Sequence, residues 1–141
     1  MGDADSWEDV FAQFLDIVDA TQVRAVIVGV WSEDYEVGPD AVIEALVAAR
    51  HRLPALRGLF LGDIEPEECE LSWITQGRVT EVLEAFPALE EFGVRGGQDL
   101  TFPAVRHDRL RELTVQTCGV SPDVVRGIAA SDLPALSDLD L

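Results

Sequence analysis

Lysine is absent: all ten basic residues are arginines, set against twenty-seven Asp and Glu, for a formal net charge of -17. Phosphate backbones and anionic lipid surfaces are bound through Lys and Arg, so this imbalance argues against nucleic acid and membrane as partners. A protein with a basic patch is the better expectation. Long apolar runs are missing too, none approaching the ~20 residues of a membrane-spanning helix. The start, Met1 to Val10, is acidic without an apolar signal core. Met1-Gly2-Asp3-Ala4-Asp5-Ser6 fits the myristoylation pattern only formally and reads as an ordinary start. Cysteine is scarce: Cys69 and Cys118 are too few for a disulfide framework, which places the chain in a reduced cytoplasmic compartment.

What is present is a chain of 141 residues with 48% hydrophobic content, enough for one domain with a real core. It contains a phrase that recurs: Leu53-Pro54-Ala55-Leu56, Phe86-Pro87-Ala88-Leu89 and Leu133-Pro134-Ala135-Leu136. Each continues with apolar residues three and five places on: Leu56, Leu59, Leu61; Leu89, Phe92, Val94; Leu136, Leu139, Leu141. Val23, Val26, Val28 and Leu110, Leu113, Val115 keep the same frame without the Pro-Ala lead. The frames start at 23, 56, 89, 110 and 136, separated by 33, 33, 21 and 26 residues. The fourth runs on to Cys118 and Val120, giving L-x-x-L-x-V-x-x-C-x-V, which resembles the leucine-rich-repeat signature.

Between the frames lie helical spacings: Val42, Ile43, Leu46, Val47; Val79, Val82, Leu83, Phe86; and Val124, Val125, Ile128. The step from Val94 to Leu110, with Gly96-Gly97 and Pro103, is expected to be extended or irregular. Phe102-Pro103-Ala104-Val105 offers a rival register, but it puts Asp108 at a core position, so Leu110 is preferred. Trp7, Val10, Phe11, Phe14, Leu15 and Val18 form a stripe that predicts a helix capped by Ser6. The expected fold is α/β: a leucine-rich-repeat solenoid with a parallel sheet on its concave face and helices on its convex face. Residues 1–22 form a covering helix and 23–141 about five repeats with an uncapped C-terminal end. A doubly wound α/β domain would alternate strand and helix as well, but its strands have no reason to rhyme.

The stretch from Leu59 to Phe102, with Gly62-Asp63, Glu67-Glu68-Cys69-Glu70, Ser72-Trp73-Ile74, Gln76-Gly77, Glu91 and Val94-Arg95-Gly96-Gly97, resembles an uncharacterised family of bacterial cytoplasmic leucine-rich-repeat proteins. The resemblance extends more loosely from Val10 to Leu141 and implies a truncated or split member. It carries no catalytic residue across.

Chemistry is thinly supplied. His51, in Arg50-His51-Arg52, reads as a helix-end cation, and His107, in Arg106-His107-Asp108-Arg109, as part of a solvated connector. Cys118 fills the buried Cys/Asn position of its repeat, and the Cys69 thiolate is disfavoured by Glu68 and Glu70. Glu65 to Glu70 lacks the ligand alternation and turn glycine of a calcium loop. Gly96-Gly97 has no phosphate-loop context and reads as a tight turn. Trp7 reads as a core or cap residue, while Trp31 and Trp73 fall in connectors at the rim of the sheet, where core and ligand-facing roles both stay open. Neither enzyme activity nor a cofactor is expected.

Strand residues that point away from the core fall into rows across the sheet: Ala25, Gly58, Glu91, Glu112, Asp138; then Ile27, Phe60, Gly93, Thr114, Asp140; then Gly29, Gly62, Arg95, Gln116. The expected partner-binding residues are Phe60, Glu91, Arg95, Glu112, Asp138 and Asp140, which meet a basic protein patch. Two other readings stand beside this one: a divalent-cation protein or enzyme using the acidic loop 65–70, and an incomplete half of a split repeat protein. The second implies self-association or a complementing chain through residues 133–141.

Overall fold

The computed structural model of the chain describes residues 7–29, 39–62, 76–96, 100–117 and 121–140. Its elements run α1 (Trp7–Ile17), β1 (Ala25–Val28), α2 (Asp40–Ala48), β2 (Gly58–Leu61), α3 (Thr80–Ala85), β3 (Glu91–Arg95), β4 (Glu112–Gln116), α4 (Pro122–Ala130) and β5 (Asp138–Asp140), with a 3-10 turn at Ala20–Gln22. The strands form one parallel sheet in the order β1-β2-β3-β4-β5. Parallel neighbours need crossovers, and α2, α3 and α4 supply three of them. The fourth, from β3 to β4, has no helix among the described residues and is anchored by isolated bridges from Thr101 to Arg78 and from Arg106 to Asp132.

The register expected from the recurring frame is the one observed: Ala25, Gly58, Glu91, Glu112 and Asp138 are successive partners, as are Ile27, Phe60, Gly93, Thr114 and Asp140. Two local devices set it. Each Pro-Ala phrase closes a turn, with the N–H of Leu56, Leu89 and Leu136 donating to the carbonyl of Leu53, Phe86 and Leu133 at 3.2, 3.0 and 3.1 Å. Proline suits the second position of such a turn because its φ is already set. Directly after each turn, two successive N–H groups share one carbonyl of the preceding rung. Arg57 and Gly58 donate to Arg24 O, Glu90 and Glu91 to Arg57 O, Arg111 and Glu112 to Glu90 O, and Ser137 and Asp138 to Arg111 O.

One sheet face is packed. Leu59, Leu61, Phe92, Val94, Leu113 and Val115 are buried against Val42, Ile43, Leu46, Val82, Leu83, Val124 and Ile128 of the helices. α4 begins with Ser121 Oγ accepting from Asp123 N at 3.2 Å and Pro122 in the first turn, a start that satisfies an otherwise orphaned donor. In α1, Phe11 and Leu15 are buried and Trp7 stacks on Phe11 at 4.9 Å. Arg52 Nη2 donates to Leu15 O at 2.9 Å, which ties the end of this helix to the turn after α2.

Several expectations are corrected. Val10 and Val18 of the N-terminal stripe are exposed, as is Val125 of α4, because the packed arc of each helix is narrower than the apolar one. His107 is the largest departure. Far from solvated, it is 3% exposed, with Nε2 2.9 Å from Phe86 O and Nδ1 accepting from Leu110 N at 3.0 Å and Arg109 N at 3.3 Å. It stands three residues ahead of its frame, where Leu53, Phe86 and Leu133 stand in theirs. The expected cap Ser6, together with Cys69, Cys118, Trp31 and Trp73, lies outside the described residues.

The crossover from β3 to β4 approaches α4 at Gly127, where a Cβ would fall 1.6 Å from Phe102 O. Ser131 fixes the same contact, donating to Gly127 O at 2.7 Å and accepting from Val105 N at 3.0 Å. Gly127→Ala gains ~1 kcal/mol of helix propensity, yet a backbone must move to admit the methyl. The expected outcome is a net loss of roughly 1–2 kcal/mol in a urea titration; a gain in stability would contradict the close approach.

Candidate functional site

The sheet face opposite the helices carries the outward rows. Glu91, Glu112 and Asp138 are all exposed and stand on adjacent rungs, spaced by roughly 4.8 Å. Like charges so placed repel, and the neighbouring glycine relieves part of this. A Cβ at Gly58 would lie 3.7 Å from Glu91 Oε2, so the Glu91 carboxylate leans over Gly58 and away from Glu112.

The second row carries the apolar patch. Ile27 is 67% exposed beside its register partner Phe60. The Phe60 ring lies flat on Gly93, where a Cβ would come within 2.5 Å of Cδ2; any larger residue would lift the ring. Arg95 completes the cluster, with Cζ 5.9 Å from the Phe60 centroid and Nε donating to Gln116 Oε1 at 2.9 Å. A guanidinium over a ring face is attracted by the ring's negative quadrupole. Buried Gln76 holds the backbone beneath, its Nε2 donating to Leu61 O at 3.3 Å and Arg95 O at 2.9 Å. Gly96, at φ 105, then turns the chain away as the Gly96-Gly97 pair implied; Gly97 lies outside the described residues. Thr114 and Asp140 finish the row on β4 and β5.

One row was missed. Arg24, Arg57, Glu90 and Arg111, each one residue ahead of its strand, line a cavity of about 350 Å³ together with Ala25, Gly58, Glu91 and Glu112. Glu90 is shared by Arg57 at 3.6 Å and Arg111 at 3.8 Å. These pairs are exposed and add little to stability, but they balance charge. The acidic stripe is therefore uneven: Arg57 and Arg111 line the cavity with Glu91 and Glu112, whereas the residue ahead of Asp138 is the uncharged Ser137. The signal for this ladder is in the sequence, one residue ahead of the row Ala25, Gly58, Glu91 and Glu112.

Among the described residues no group of three His, Cys, Asp or Glu gathers as a metal site. The loop 65–70 lies outside them. No described helix is long and apolar enough to cross a membrane.

No family model and no curated protein matches the chain. Among solved structures it is similar to the crystal structure of a Bacteroides fragilis protein, a Northeast Structural Genomics Consortium target, with a TM-score of 0.83 and 27% identity. The match covers 96% of this chain and 40% of that one, so the chain spans less than half the length of the protein it resembles.

Proposed function

We propose that the chain is a leucine-rich-repeat solenoid working as a non-catalytic protein-binding module in the cytoplasm, its open sheet face being the concave one and receiving a basic partner segment. The observation that carries this reading is the unbroken row of exposed Glu91, Glu112 and Asp138 on neighbouring rungs, flanked by the Phe60–Arg95 cluster. A partner arginine or lysine offsets the repulsion along the row, an apolar side chain covers Phe60 and Ile27, and the net charge of -17 speeds encounter with a basic surface. Arg95 and Asp140 set the borders of the footprint.

The test is Glu91→Arg combined with Glu112→Arg, compared with Glu44→Arg combined with Glu81→Arg on the exposed helical side. Both pairs change net charge equally. In quantitative affinity capture, partners held by the parent chain are expected to be lost about tenfold or more, ~1.4 kcal/mol, by the sheet-face pair and kept by the helical pair. Equal yields from the sheet-face pair and the parent would refute the assignment.

A further inference from the structure

Three of the ten arginines gather in the cavity of about 350 Å³ at the start of the strands, where Arg24, Arg57 and Arg111 meet Glu90, Glu91 and Glu112. The two signs are equal in number, yet they do not neutralise each other. Glu90 takes Arg57 at 3.6 Å and Arg111 at 3.8 Å, whereas Arg24, Glu91 and Glu112 have no ion-pair partner among the described residues. Unpaired charges of both signs therefore line one cavity.

The order along the row tells where a ligand charge belongs. Glu90 stands between Arg57 and Arg111, but Arg24 and Arg57 follow one another on adjacent rungs with no carboxylate between them, and like charges so placed repel. Arg57 is nevertheless held in place: its Nη1 donates to Pro54 O at 3.4 Å and to Leu56 O at 3.3 Å, and its Nε faces Glu90 Oε2 at 3.6 Å. The floor beside the two arginines is bare. A Cβ at Gly58 would meet Ala25 Cβ at 3.6 Å and Glu91 Oε2 at 3.7 Å, so a methyl group and the edge of a carboxylate are its nearest borders.

We propose that this space is a carboxylate subsite: an acidic side chain of the bound partner segment lies over Gly58 between Arg24 and Arg57, while a basic side chain of the same segment meets Glu91 and Glu112. The inference rests on the acidic row being the partner-binding face. It narrows the partner from a basic segment to one in which acidic and basic residues are paired. A guanidinium presents its N–H donors in a planar fork that matches a carboxylate, and the incoming group takes between Arg24 and Arg57 the place that Glu90 takes between Arg57 and Arg111. Its repulsion from Glu91 is offset by the basic side chain that it arrives with. The spacing fits an extended segment crossing the strands. A rung and a half, roughly 7 Å, separates the middle of the Arg24–Arg57 pair from the rung of Glu91, and side chains two places apart in an extended chain share a face at about the same distance.

The experiment titrates the full chain against short dye-labelled peptides, capped at both ends and followed by fluorescence anisotropy. One pair carries an arginine and an aspartate two places apart, in either order; the other pair has asparagine in place of the aspartate. The asparagine peptides are the more basic, so the net charge of -17 favours them, and tighter binding of an aspartate peptide has to come from the subsite. The aspartate peptide in one of its two orders should bind at least tenfold more tightly than its asparagine counterpart. Arg24→Gln should erase that difference by removing a charge, and Gly58→Val by filling the space at constant charge; both should hold the asparagine peptides within about twofold of the parent. Circular dichroism checks the folding of each variant, and either one alone suffices should the other misfold. Asparagine peptides that bind as tightly as the aspartate ones overturn the proposal and leave the acidic row standing, as does an advantage that survives both substitutions. Peptide binding that is indifferent to Glu91→Arg with Glu112→Arg, or absent up to millimolar concentration, overturns the proposal too, the former together with the reading on which it rests.

Discussion

Leu113→Ala should lower the free energy of unfolding by roughly 2–5 kcal/mol, the range for a buried leucine whose cavity cannot collapse. Leu113 is 1% exposed on β4 and lies in register between Phe92 of β3 and Leu139 of β5. Strands on both sides are fixed by backbone bonds, and the helical layer closes the third side, so no neighbour is free to fill the hole. Leu139 is the internal control. It occupies the same place in its frame but is 47% exposed, so Leu139→Ala should remove only about 1 kcal/mol or less. Urea titrations of the two variants settle the comparison. Equal midpoints would mean that the frame starting at Leu110 is wrong.

That frame was legible because it is a statement about equivalent environments. A residue type recurs when the same neighbours recur, so Leu59, Phe92 and Leu113 could be aligned before any strand was placed, and their buried pairing follows. The turns were legible for the same reason, each proline standing where a helix ends and a strand begins. Helix faces were less legible. Periodicity reports which side of α1 and α4 is apolar, but the width of the packed arc depends on what lies opposite, so the pattern puts Val10 and Val125 on a face that does not cover them. Position in the stack is also invisible to a repeat pattern: Leu139 matches the frame perfectly and is still half uncovered.

The outward rows followed from strand alternation alone, which placed Glu91, Glu112 and Asp138 on one line. What alternation could not supply was the neighbour one residue earlier, outside the strand. Arg24, Arg57 and Arg111 line the same cavity as Glu91 and Glu112, so the residual negative charge of the face concentrates toward β5. The Phe60–Gly93 contact was likewise implicit in the row yet unreadable, since it depends on the ring lying down over a residue with no side chain.

His107→Ala should remove roughly 3–5 kcal/mol, as for truncation of a buried aromatic ring, and more than a surface histidine would by any mechanism. The ring is 3% exposed and both nitrogens are engaged. Two backbone N–H groups, from Arg109 and Leu110, reach Nδ1, so that atom is an acceptor and the ring hydrogen sits on Nε2, donating to Phe86 O at 2.9 Å. The ring thus does two things at once. It closes its own turn through Leu110 N, as the backbone carbonyls of Leu53, Phe86 and Leu133 do in theirs, and it bonds to the turn of the preceding rung. His107→Asn separates them. A side-chain amide carbonyl can take the N–H groups two or three residues on but is too short to replace the bond to Phe86 O, so the loss should fall to roughly 1–3 kcal/mol. Thermal midpoints should therefore rank the parent above His107→Asn, and His107→Asn above His107→Ala. An alanine variant within about 0.5 kcal/mol of the parent, the range of an ordinary surface change, would return His107 to the solvated connector that its charged neighbours suggest.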